Sequence, residues 1–129
     1  MRMEVHANLR NGHSFAALYM QYDVSKLPND DLIIYYLEGS TEWFGGWDED
    51  VIQKLMEQVA DKILKRYRTY DRAFLSSFRA REAMYELDTS DFIKAIKKKY
   101  GDNVRLKHTV STHAEDPFMY CVWDMKKCR

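Results

Sequence analysis

Glycine is scarce in this 129-residue chain, with five in all, and proline scarcer, with two. Neither G-x-x-x-x-G-K-[ST] nor G-x-G-x-x-G occurs, so little is available to build a phosphate-cradling loop, and nucleotide hydrolysis is not expected. H-E-x-x-H and G-x-S-x-G are also missing, which removes the zinc-protease and serine-hydrolase readings. Cysteine is limited to Cys121 and Cys128, which form neither a C-x-x-C pair nor a disulfide framework. Free thiols in a reducing cytosol are the expectation. No stretch approaches the roughly eighteen apolar residues of a membrane span, and Met1 to Arg10 alternates instead of running apolar as a signal peptide would. The expected location is therefore the cytoplasm, with no membrane partner. Repeats, linkers and low-complexity tracts are absent, and the length suits one domain over 1–129 that needs no metal or disulfide to fold.

What is present begins with charge. The formal net charge is zero, yet residues 1–61 carry four basic side chains against eleven acidic ones, and residues 62–129 carry sixteen against nine. If the two halves stay apart in space, the molecule is strongly dipolar; if they interleave, the charges only complement each other internally.

The longest periodic stretch is Asp48 to Tyr70, read as one helix. Val51, Leu55, Val59, Ile63 and Tyr67 repeat every four residues beside Ile52, Met56, Ala60 and Leu64, a broad stripe that must be buried. Asp48 is the expected N-cap, with Trp47 as a staple on Ile52. Before it, Asn11-Gly12 between alternating runs predicts a type I′ hairpin with Arg10 facing His13. That register puts Met3, Val5, Ala7 and Leu9 on one face, and Glu4, His6, Arg10, Phe15 and Tyr19 on the other. Asp31 to Glu38 reads as a central strand apolar on both faces, and Trp43-Phe44 as part of a glycine-flanked loop. After Tyr70 the spacing of Phe74, Phe78 and Tyr85 predicts a helix over 72–87. A further helix is expected at Asp91 to Tyr100, stopped by Gly101, then a second hairpin of 103–113 and 118–125 around Ala114–Pro117. The order β-β-β-α-α-α-β-β predicts an α+β fold, an antiparallel sheet of about five strands with helices packed on one face.

Three functional readings follow. The first is a small non-enzymatic binding protein, of inhibitor, adaptor or immunity type, that docks on another protein through Trp43, Phe44, Phe15, Tyr19, Arg10 and Tyr120, since Tyr, Trp and Arg are enriched at interfaces. The same outer sheet face could join two copies of the chain. The second is RNA or single-stranded DNA binding through Lys65, Arg66, Arg68, Arg72, Arg79 and Arg81, interleaved with Tyr67, Tyr70, Phe74 and Phe78 for base stacking. The third rests on histidine. His108-Thr109 resembles one half of the paired H-x-[ST] pattern of two-histidine phosphoesterases, with only His13-Ser14 offering a second copy, and His6, His13 and His113 with Glu4 could converge on a metal if the hairpins adjoin. The resemblance implies a histidine-dependent phosphoesterase. His108 otherwise reads as a hydrogen-bonded core residue opposite Trp123. The pairs Asp30-Asp31, Glu38 with Glu42, and Asp48-Glu49-Asp50 have turn, strand-end and cap roles, so no cofactor or metal is expected.

Overall fold

The computed structural model describes residues 1–45, 50–77, 89–109 and 118–129, with the backbone alone at 36–38, 76–77, 89–90, 106–109 and 118–120. In chain order the elements are strands β1 (Arg2–Asn11), β2 (Ser14–Leu27) and β3 (Asp31–Phe44), helix α1 (Val51–Arg66), strand β4 (Arg72–Ser77), helix α2 (Thr89–Tyr100), strands β5 (Val104–Thr109) and β6 (Phe118–Asp124), and a short helix α3 (Met125–Cys128). They build one six-stranded sheet in the order β1-β2-β3-β4-β6-β5. All neighbours are antiparallel except β3 and β4, which are parallel and joined through α1. The class is α+β with a mostly antiparallel open sheet; the strand count and order differ from expectation.

The main correction is at Arg72. Residues 72–77 form a strand between β3 and β6, whereas the aromatic spacing predicts a helix there. Ala73 and Leu75 are buried and Phe74 half-buried, which is the alternation of a strand with one face on the core. The competing helical spacing drew on Phe78 and Tyr85, which lie outside the described residues. Tertiary pairing on both sides overrides local propensity.

The first hairpin keeps its expected faces in a shifted register. Arg10 pairs with Phe15 and Asn11 with Ser14, leaving Gly12 and His13 as the loop. Gly12 has φ +60 while His13 is not among the positive-φ residues, the arrangement of a type II′ turn rather than type I′. The shift is two residues, an even number, so every side chain stays on its predicted face. Likewise Leu106 pairs with Cys121 and Val104 with Trp123, four residues from the expected register and again on the same faces.

A bulge sits in β3. Gln21 pairs with Glu38 but Tyr22 pairs with Tyr36, so Leu37 is an extra residue without a partner. Leu32 and Ile34 face the helices before it, and Gly39, Thr41 and Trp43 after it, because the insertion reverses the alternation.

Helix α1 is shorter than expected, starting at Val51 with Asp50 as its N-cap and ending at Arg66. Asp48 and Trp47 lie outside the described residues. Its stripe is buried as the period requires: Val51, Leu55, Met56, Val59, Ala60, Ile63 and Leu64, each large side chain contributing roughly 1.5–3 kcal/mol by leaving water. It packs on β1 and β2, and α2 packs on β4 and β5 through Phe92, Ile93 and Ile96. Trp123 fills the space beneath α2, edge-on to Phe92 at 6.4 Å. Gly101, at φ +60, ends α2 as expected. Among the described residues no helix is long and apolar enough to cross a membrane.

Candidate docking surface

Cross-strand neighbours share a face, so the register places the site residues in rows. On the face away from α1, Arg10, Phe15 and Phe44 form one row across β1, β2 and β3. The Arg10 guanidinium carbon lies 5.7 Å from the Phe15 ring centre, and Phe15 stacks on Phe44 at 5.6 Å with 30° between the ring planes. The result is a cation, a ring and a second ring laid side by side. Phe44 is 60% exposed although stacked. Each such contact is worth about 0.5–1.5 kcal/mol, enough to fix the rings in place before any partner arrives.

Gly45 sets the edge of this row. Its φ is +90, and a Cβ there would lie 2.4 Å from Ser14 Oγ and 2.9 Å from Ser14 Cα. The chain leaves β3 in close contact with the hairpin turn, which only glycine permits.

Trp43 falls elsewhere. It pairs with Ala16, which is fully buried and in turn pairs with Leu9, so Trp43 belongs to the helix side of the sheet though it is 51% exposed. The expected Trp43-Phe44 loop anchor is thereby corrected: both residues are in a strand, and consecutive strand residues point to opposite faces.

Two rows along, His6 and Tyr19 pair with ring centres 4.8 Å apart. The Tyr19 hydroxyl donates to Glu4 Oε1 at 2.8 Å, and Gln21 Nε2 donates to the same oxygen at 3.1 Å. Tyr19 thus lies on the same face as Phe15, with its hydroxyl bonded across the strands to Glu4. Tyr120 does not join them. It pairs with Ser76 on β4, two strands beyond β3, and only its backbone is described.

The open edge of β1 is covered by α1. Gln58 accepts from Asn8 N at 3.3 Å and donates to Asn8 O at 2.9 Å, and Lys62 Nζ donates to His6 O. Side chains satisfy backbone groups that would otherwise invite another strand. A shallow cleft of about 220 Å³ opens beside this contact, lined by Glu4, Val5, His6, Tyr22, Lys62 and Arg66.

The histidines are not brought together. His6 and His13 belong to the β1-β2 edge of the sheet and His108 to β5 at the opposite edge, roughly 24 Å away at the usual strand spacing; His113 lies outside the described residues. Among the described residues no group of three His, Cys, Asp or Glu side chains is placed to hold a metal ion.

The basic residues divide. Arg72 is committed to Asp31, donating from Nη2 at 2.8 Å and Nε at 3.2 Å, and lies over Phe74 at 5.7 Å. That contact raises the Arg72 pKa above its ordinary value, the hydrogen bond to Asp31 being the largest cause. Lys65, Arg66 and Arg68 are exposed, and Arg79 and Arg81 lie outside the described residues. Tyr67 is turned inward at 9% exposure, bonded to Tyr22, and Tyr70 packs edge-on to it at 6.2 Å. Their expected role as stacking rings among the cations is therefore not available to Tyr67.

No family model matches the chain, and no curated protein does. Among solved structures the chain is similar to one titled as the NatC complex bound to Gag peptide and CoA, with 12% identity over 86% of this chain and 70% of that one, at a TM-score of 0.45. It is also similar to the N-terminal domain of ribosomal-protein-alanine acetyltransferase from Clostridium acetobutylicum, with 11% identity over 92% of this chain and 95% of that one, at a TM-score of 0.40. Likenesses this distant carry no functional argument.

Proposed function

We propose that the chain is a small binding protein that docks on another protein through the Arg10-Phe15-Phe44 row, in an inhibitor or adaptor role without chemistry of its own. The observation that carries this reading is Phe44, a large ring 60% exposed and already stacked on its neighbour. Aromatic and arginine side chains held rigid before binding lose little entropy on association, which is why they dominate interfaces. Tyr19 extends the same face, and Trp43 is set apart from it by the pleat.

The test compares the two faces. Tagged wild-type protein, Phe44→Ala, Arg10→Ala and Trp43→Ala are used to recover partners from lysate, with light scattering to detect a second copy of the chain as the partner. Phe44→Ala is expected to lower recovery at least about tenfold, as removal of an aromatic hot spot does, while Trp43→Ala leaves it unchanged. Equal recovery by all four would end the proposal. A second reading, nucleic-acid binding, is supported by a different set of residues, the exposed Lys65, Arg66 and Arg68 at and just beyond the end of α1.

A further inference from the structure

The opposite end of the sheet gathers positive charge from segments far apart in sequence. Lys65, Arg66 and Arg68 lie at and just beyond the last turn of α1, and Lys126, Lys127 and Arg129 come from α3 and the residue after it. Two bonds bring them together: Arg129 Nη2 donates to Tyr70 O at 2.9 Å, and Lys126 N donates to Asp71 O at 3.1 Å. The acids nearby are largely spent. Asp31 is taken by Arg72, and Asp124 by Lys127 at 3.8 Å, while Lys65, Arg66, Arg68 and Lys126 enter no ion pair among the described residues. Asp23 is taken by the N-terminal amine and Asp102 by Lys97, which leaves Asp30 and Asp71 as the acids of this end with no ion pair among the described residues.

We infer that this end, formed by the C-terminal turn of α1, residues 67–71 and α3, binds the phosphodiester backbone of double-stranded nucleic acid. Crowded like charges repel one another in the free protein, and a polyanion relieves that repulsion while releasing its own counterions. Arginine contributes a planar fork that meets two phosphate oxygens at once, and a duplex presents its phosphates densely and at regular spacing, so several of these cations can be neutralised together. The rings point to duplex and not to single strands. Tyr67 is buried, and Tyr70 is held between it and Lys26, whose ammonium lies 6.0 Å from the ring centre. Binding then uses the backbone alone and ignores sequence. Phe15 and Lys26 stand at opposite ends of β2, roughly 36 Å apart at the rise of a strand, so this inference is independent of the docking row.

The experiment is fluorescence anisotropy of a short labelled mixed-sequence DNA duplex against the full chain, repeated with the matching single strand and with polyglutamate as competitor. About four neutralised phosphates predict a slope of log affinity on log salt near −3 to −4. Exchanging Lys65, Arg68 and Lys126 for Gln, all exposed and outside the Arg129-Tyr70 contact, is expected to flatten that slope by about 2–3 and to weaken binding at low salt, while the circular dichroism stays that of the wild type. Retention of the wild-type slope by a folded triple variant overturns the inference. So does the absence of binding by the wild-type protein at about 50 mM salt. Single-strand binding tenfold tighter than duplex binding would assign the site to base stacking instead, and polyglutamate competing as well as unlabelled duplex would assign it to acidic protein; both overturn it.

Discussion

The two ends of the sheet solve the problem of an exposed surface in opposite ways. At the hairpin end three side chains from three adjacent strands are laid on one another in register, so the surface is two rings with one cation beside them, ordered and set by the pleat. At the other end the side chains come from α1, the chain after it and α3, and what they share is charge that is mostly unpaired; α3 is joined to residues 70 and 71 by the Arg129 side chain on Tyr70 O and by the Lys126 amide on Asp71 O. The first surface depends on the geometry of a strand, and the second on a tertiary junction. Perturbations should therefore separate them, and salt is the first. Raising salt from about 50 to 200 mM should cut duplex binding at the basic end roughly hundredfold for four phosphate contacts, while partner recovery through Phe44 changes little. Titrations in parallel at the two concentrations check this, and a hundredfold loss at both ends would erase the distinction.

Stability should divide less evenly. Trp123→Ala removes a fully buried ring under α2 and should cost about 3–5 kcal/mol in denaturant unfolding. Gly45→Ala should cost about 2–4 kcal/mol, from the unfavourable φ and the close Ser14 contact, and should also disturb the Phe15-Phe44 stack. If its partner recovery equals that of wild type, the turn does not position the docking row.

Alkali should act from beneath the sheet. Burial pushes the Cys121 thiol up to about 12, and burial first of all raises the Tyr22 and Tyr100 hydroxyls too. These groups are neutral in the folded state at a pH where the unfolded chain ionises. Their contribution is complete below about pH 9, the ordinary thiol value, and is lost as pH rises from there through 12. Thermal melts at pH 8 and 11 should show a fall in Tm, and Cys121→Ala should reduce that fall; a flat profile would contradict it. The smallest effects are at the surfaces themselves: Phe44→Ala should cost about 0.5–1.5 kcal/mol of unfolding free energy with the loss of its stack, and Lys126→Gln no more than about 0.5 kcal/mol, while abolishing or weakening their respective binding.

The faces of both hairpins were legible in the sequence because side-chain direction depends on parity alone, so registers wrong by two and by four still sorted Val5, Ala7, Cys121 and Trp123 to the inside. Helix α1 was legible for a similar reason, since a four-residue period sustained from Val51 to Ile63 admits one solution. Residues 72–77 were not. Six residues with a charge at one end carry too weak an alternation to compete with helical spacing, and their strand exists because β3 and β6 offer partners on either side. The docking row was half readable: Arg10 and Phe15 follow from the hairpin, but Phe44 joins them only through the pairing of β2 with β3. Nothing local announces that Arg129 meets Tyr70, since that junction joins segments 59 residues apart.

The unpaired residue at position 37 has a meaning for how such a protein could change. Strict alternation from Leu32 onward would keep even-numbered residues facing the helices, turning Phe44 inward and Trp43 toward Phe15. The choice between the two rings is thus made seven residues upstream, by the length of the strand and not by the identity of either side chain. A single-codon change in the frame of β3 would exchange one recognition group for another in one step, a route to a new partner that no substitution at the surface provides.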